Sequence, residues 1–207
     1  MDALNATIGT SGKAFVREVI SGDYFKLHKS AGKDQFEALV HLAYINAPRV
    51  GNPNRKEEAF AHDARELLRE KLIGQKVDFT IEYIANGRRF VSVRFEEKDL
   101  ATLLVESSFA KVNEKRVHMV EGGLHEKLLE IQDKEQKKNK GVWCSDAKVL
   151  EKHRRDLTFF GEADYNPASI LAQSLNEKRP LGAILEHVFS STLVTLFVKS
   201  LGTVIKC

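Results

Sequence analysis

Cysteine is nearly absent from this chain: only Cys144 and Cys207 occur in 207 residues. That excludes a disulfide-stapled scaffold and a cysteine-rich metal site, and it suits a reducing compartment. Long apolar runs are also missing. The longest, near Leu100–Val105 and Leu193–Val198, fall far short of the ~20 residues that span a bilayer. The opening Met-Asp-Ala-Leu-Asn has no basic region followed by an apolar stretch, so no secretory signal is read there. Charge of one sign is lacking too, since 32 Lys+Arg against 29 Asp+Glu leave a net charge of +3. A nucleic-acid binder of this composition must gather its basic residues on one face. There is no Gly-rich phosphate loop, no Gly-x-Ser-x-Gly elbow and no zinc-type cluster. What remains is ordinary globular composition, 43% apolar and 29% charged, which excludes collagen and disorder throughout.

The patterning divides the chain. Residues 1–13 read as a flexible lead-in. From Ala14, alternating apolar residues (Phe15, Val16, Val19, Ile20, then Phe25 and Leu27) flank a turn at Ser21-Gly22-Asp23. A second turn at Ser30–Lys33 leads to a strand through Leu39, Leu42, Tyr44 and Ile45, ended by Pro48. Between Lys56 and Ile73 the period changes to three and four, an amphipathic helix stopped at Gly74. Alternation returns at Val77, Phe79 and Ile81, and Asn86-Gly87 marks a hairpin into Phe90, Val91, Val93 and Phe95. Helices follow at Leu100–Glu106 and about Gly123–Asn139, closed by Gly141-Val142-Trp143. Five short strands with a helix after the third predict an α+β, mostly β domain over 14–148: a five-stranded barrel of the oligonucleotide/oligosaccharide-binding type with three helices.

Residues 149–179 read as a linker with a short helix at Ala168–Lys178, and 180–207 as further strands too few to close a barrel. They repeat the start. Phe15–Gly22 lies over Ile184–Ser191 at an offset of 169, and Leu27 lies over Leu196. The bland alternative is that any two β-meanders share such alternation.

These segments resemble the staphylococcal nuclease-like domain. The resemblance is carried by Val-Ile-Ser-Gly-Asp (19–23), Ile-Asn-Ala-Pro-Arg (45–49) and Glu-Ala-Phe-Ala-His-Asp-Ala-Arg-Glu-Leu-Leu (58–68). Asn-Gly-Arg (86–88), Phe-Ala-Lys-Val (109–112) and Gly-Val-Trp (141–143) continue it. The second run, 180–188 ending in Val-Ile-Lys-Cys (204–207), is similar to the opening of a second such repeat in the Tudor staphylococcal nuclease family. The resemblance implies that this chain is an N-terminal piece, with the first strands of an incomplete second barrel at 180–207.

In the nuclease, a calcium ion on two aspartates and a carbonyl polarises the phosphodiester, a glutamate assists water attack, and two arginines hold the phosphate. Carried over, the catalytic positions are Asp23, kept; Asn46, in place of the second aspartate; and Arg49, in place of the glutamate. His41 replaces the first arginine and Arg88 keeps the second, while the two stacking tyrosines become Glu114 and Arg116. One carboxylate out of three does not neutralise calcium, and a like charge at ~4–6 Å costs a few kcal/mol at an effective dielectric near 20. No cofactor is expected, calcium included. The nucleic-acid-binding set is His41, Arg49, Arg88, Lys115 and Arg116, fixed positive charge suited to a phosphate backbone. The bland alternative pairs Arg49 and Arg88 with Asp23 and Glu114 as a solvated ion network.

The resemblance implies RNA binding in silencing, decay and gene regulation, with RNA and silencing or transcription proteins as partners and no membrane. It implies a cytoplasmic place, with a nuclear one as alternative. An active phosphodiesterase is the competing expectation, since related proteins with altered sites are associated with cleavage of inosine-containing double-stranded RNA. A protein-interaction scaffold is the third. The open strand at 180–207 is expected to dock on the first domain or pair with another copy. Elsewhere, His118 and His125 read as a surface loop and helix start, His62 and Asp63 as a polar helix face, and Lys134–Lys140 as a helix C-terminus. Cys144 beside Trp143 reads as a packed thiol.

Overall fold

The computed structural model describes residues 8–31, 34–52, 55–114, 123–155, 157, 182–190, 193–199 and 202–206. Three antiparallel strands open it: β1 (Ser11–Ser21), β2 (Tyr24–Ala31) and β3 (Asp34–Leu42). β1 begins inside the stretch read as a lead-in, because Ser11–Phe15 pairs with a later strand. Alternation alone does not keep one face of β1 inward. Ala14 and Val16 are buried, and a register shift between Val16 and Glu18 brings Val19 to the same side.

The expected strand through Tyr44 and Ile45 is broken. Tyr44 takes a positive φ of 67°, so β3 ends at Leu42 and a two-residue β4 (Ile45–Asn46) turns away. The helix α1 (Ala61–Leu72) starts five residues later than the periodicity suggested. Phe60, its first flanking residue, has φ 66°, and Glu57 and Glu58 spend their carboxylates on backbone N–H groups of the preceding loop. From there Ala61, Ala64, Leu68 and Leu72 are buried at the expected spacing.

β5 (Lys76–Ala85) and β6 (Arg88–Phe95) form the Asn-Gly hairpin, with φ 50° at Asn86 and 71° at Gly87. β5 pairs with β1, and β6 pairs in parallel with β3 from Val40↔Arg89 to Leu42↔Val91. That last pairing closes β1, β2, β3, β5 and β6 into a five-stranded barrel. A short β7 (Lys98–Asp99) leads to α2 (Leu100–Glu106), whose N-cap Asp99 accepts the Thr102 N–H at 2.8 Å. β8 (Lys111–Val112) pairs with β4, and α3 (Leu124–Gln136) covers the barrel. The core joins Val16, Phe25, Leu27, Leu42, Leu68, Val91, Leu104 and Leu128.

His125 corrects the surface expectation: it is 3% exposed, with Nε2 3.3 Å from the Asn113 carbonyl. A fourth helix, α4 (Ala147–Lys152), follows the 3₁₀ turn at Gly141–Trp143. The helix expected at Ala168–Lys178 lies outside the described residues. Among the described residues, no helix is long and apolar enough to cross a membrane.

A second sheet holds β9 (Ala183–Ser190), β10 (Leu193–Val198) and β11 (Thr203–Lys206). Its first hairpin reproduces the register of β1–β2 at the 169-residue offset. Phe15↔His28 becomes Ile184↔Phe197, Val16↔Leu27 becomes Leu185↔Leu196, and Ser21↔Tyr24 becomes Ser190↔Leu193. Both irregularities recur in place. Shared alternation alone does not reproduce two bulges, so the resemblance between the hairpins is one of backbone as well as composition.

This sheet docks on α1. The Arg69 guanidinium donates to the Leu185 carbonyl at 2.7 Å, Arg65 pairs with Glu186, and the His62 ring meets Phe197 edge-on at 4.5 Å. His62 is therefore an interface residue, not part of a solvated polar face.

Candidate nucleic-acid interface

Beside the β1–β2 turn lies a cleft of about 1160 Å³, walled by the end of β3, the loop after β4, the start of β6, and β8. It is lined by Asp23, His41, Asn46, Arg49 and Arg88, together with Tyr24, Phe90 and Lys111. The five positions expected from the resemblance therefore come together from four separate stretches of sequence. Lys115 and Arg116 lie outside the described residues.

Asp23 holds the cleft together. One carboxylate oxygen accepts the Ser21 hydroxyl at 2.7 Å, the other accepts the Ala47 N–H at 3.0 Å, and its carbonyl accepts the Leu42 N–H at 2.8 Å. The turn can lie this close because residue 22 is glycine. A Cβ there would come within 2.8 Å of the Ala47 and Ala64 methyl carbons.

Arg49 is fixed through its backbone. Its N–H donates to the Glu58 carboxylate at 2.8 Å, and its carbonyl accepts the Glu58 N–H at 3.0 Å. Its guanidinium is left exposed, as is that of Arg88 just past the Asn-Gly turn. Neither guanidinium has a hydrogen bond or ion pair among the described residues, so the Asp23–Arg49–Arg88 network considered above is not formed there. The two carboxylates lining the cleft, Asp23 and Glu58, accept backbone N–H groups instead.

His41 occupies a ladder of rings absent from the sequence reading. Tyr24 stacks on it at 4.2 Å, Phe90 at 5.3 Å on the other side, and Tyr83 continues beyond Phe90 at 4.5 Å. The ladder follows from the cross-strand pairs Tyr24↔His41, His41↔Phe90 and Tyr83↔Phe90. Burial lowers the His41 pKa below its ordinary value; Arg88 pushes the same way, against Asp23.

A buried charge cluster stands apart from this cleft. Glu57, 2% exposed, accepts from Arg155 at 2.8 and 2.6 Å and from the Gly51 N–H at 3.1 Å. Arg155 reaches on to Glu186 at 3.0 Å and carries its charge 5.5 Å over the Phe197 ring. Burial alone would raise the Glu57 pKa, but the Arg155 hydrogen bonds and charge hold it below the usual range. His62, Glu66 and Glu186 are close enough to share a metal ion, yet Arg65 already bridges the two carboxylates. The ion-pair network answers their charge.

The family model described as staphylococcal nuclease homologue matches residues 39–145. The chain is 29% identical over 196 residues to Staphylococcal nuclease domain-containing protein 1 of Drosophila melanogaster, covering 88% of this chain and 20% of that one. It is 28% identical over 192 residues to the protein of the same name in Schizosaccharomyces pombe, covering 89% and 21%. Against Ribonuclease TUDOR 1 of Arabidopsis thaliana it is 28% identical over 200 residues, covering 90% and 20%. The chain thus spans about a fifth of the length of the curated relatives it matches. The matched stretch runs from the parallel pairing that closes the barrel to the turn before α4, and on that ground the chain belongs to the staphylococcal nuclease homologues.

Proposed function

We propose that the cleft binds RNA by its phosphate backbone and does not use calcium. The observation that carries this is the contrast between its charges. Arg49 and Arg88 present unpaired guanidinium groups among the described residues, while both lining carboxylates are spent on backbone N–H groups. Calcium takes about six to eight oxygen ligands, most strongly from carboxylates. Here Asp23 has both oxygens engaged, Asn46 is neutral and Arg49 is cationic. A phosphodiester meets the opposite situation: two forked donors that neither lining carboxylate engages. Relatives named ribonucleases make RNA the polymer of choice. Action in RNA silencing, decay and gene regulation, with protein partners of those processes, belongs to this proposal.

The test is a salt titration with single-stranded RNA. Each phosphate contact contributes a slope of about −0.7 in log K against log salt. Arg49→Ala and Arg88→Ala are each expected to weaken binding and flatten the slope by about one contact. A slope near zero in the parent chain overturns the phosphate reading and leaves the protein-interaction scaffold.

A further inference from the structure

The nuclease-like positions have lost carboxylates, but they have gained an imidazole. His41 is clamped on both faces by Tyr24 and Phe90, so its nitrogens, which lie in the ring plane, are presented along the edge. It is the one histidine among the described residues lining the cleft, and neither nitrogen is hydrogen-bonded among those residues. The charged groups acting on it are Asp23 from the β1–β2 turn and Arg88 from β6, and Arg49, Arg55, Glu58 and Lys111 line the same cleft. The two carboxylates are engaged as described. Burial, joined by Arg88 and opposed by Asp23, lowers the imidazole pKa below its ordinary value and so favours the unprotonated form, the one that accepts a proton.

We propose that this cleft cleaves RNA without a metal ion, His41 taking the proton of a ribose 2′-hydroxyl while Arg49 and Arg88 hold the adjacent phosphodiester. This rests on the phosphate-binding reading above. The 2′-oxygen attacks the neighbouring phosphorus as its proton passes to the free imidazole nitrogen. The O2′–P bond forms and the P–O5′ bond breaks. The departing 5′-oxygen takes a proton from water, and the resulting hydroxide recovers the proton from the imidazolium. No redox change occurs and no net water is consumed. The products are a 2′,3′-cyclic phosphate and a 5′-hydroxyl. The two arginines offset the negative charge that grows on the phosphoryl oxygens. With one base and, among the described residues, no second histidine lining the cleft to protonate the leaving group, turnover is slow; a positioned base contributes about 10²–10⁴-fold.

The experiment uses the full 207-residue chain with EDTA present. Its substrate is a DNA oligonucleotide carrying one ribonucleotide, compared with the all-DNA strand and with a 2′-O-methyl version. Cleavage is expected only on the 3′ side of the ribonucleotide, with cyclic phosphate ends by mass spectrometry. His41→Gln should reduce the rate of the bound strand, measured at saturating protein, at least about 100-fold. The proposal is overturned if a chain that binds the strand leaves it intact in EDTA, if His41→Gln cuts as fast, or if the 2′-O-methyl strand is cut. The last comparison needs no variant, so misfolding of His41→Gln does not obscure it. Failure of the chain to bind the strand at all counts instead against the phosphate-binding reading on which the proposal rests.

Discussion

The Asp23 carboxylate and the Ala47 N–H meet at 3.0 Å across 24 residues of sequence, joining the β1–β2 turn to the loop that carries Arg49. The residue that the resemblance would place at a metal-binding position thus serves here as a structural tie. Its other oxygen accepts the Ser21 hydroxyl, so the charge is answered locally on both sides.

Asp23→Ala is therefore expected to cost stability. Hydrogen bonds to a charged group contribute about 1.5–3 kcal/mol when partly shielded, and this substitution leaves the Ala47 N–H without its partner. A urea titration should show a lower midpoint at unchanged slope. RNA affinity at a temperature where the variant is folded should fall by less than in Arg49→Ala. A midpoint equal to that of the parent would show that the tie contributes nothing.

Stability should also fall with pH through the histidine range, because of His62. Burial, Arg155 and Arg65 push its pKa from 6.5 down to about 3, and the Glu186 oxygen 3.8 Å away is already taken by Arg155, while Arg65 holds the other oxygen. Between those values the unfolded chain binds a proton that the folded chain refuses. The stabilisation is therefore complete above pH 6.5 and is lost as the pH falls toward 3. The slope is about 1.4 kcal/mol per pH unit, or about 2 kcal/mol between pH 6.5 and 5. His41 acts in the same direction, so the informative quantity is the difference between the parent and His62→Gln. Parallel curves for the two proteins would refute the assignment.

Short motifs located much of this, and their limits are physical. Asp23, Asn46, Arg49 and Arg88 sit in turns or at strand ends, where residue type and local spacing constrain the backbone strongly. The cleft they share was legible from those motifs and from the resemblance they carry. The ring ladder was not, because Tyr24, His41 and Phe90 are neighbours only through the registers of β2 with β3 and of β3 with β6. Helical periodicity extended α1 back to Lys56 because it does not register that Glu57 and Glu58 are claimed by distant partners. His125 looked like a surface residue for a similar reason, since its burial depends on how α3 lies across the barrel. Arg155 stood in an expected linker, and nothing near it in sequence announces Glu57, 98 residues away.

That last pair supports the sharpest stability prediction. Arg155 and Glu57 are both nearly excluded from water, so each pays for its burial only through the other and through Glu186. Replacing Arg155 by methionine strands the Glu57 carboxylate, with the backbone N–H groups of Gly51 and residue 155 and whatever water enters as its remaining support. The expected loss is about 3–5 kcal/mol. Glu57→Gln strands the guanidinium less completely, because Glu186 still faces it, and should cost less. In the double variant neither charge is stranded in this pair, so the combined loss should fall short of the sum by more than about 1 kcal/mol. The pH dependence differs from that of His62. The Glu57 pKa is held below 4.5, so its contribution is present above that pH and is lost as the pH falls through the depressed value. Urea titrations of the parent, two single variants and the double variant at pH 7 and pH 4 separate the two effects. Additive losses at pH 7 would mean that the two side chains stabilise the fold independently, despite contacts of 2.6 and 2.8 Å.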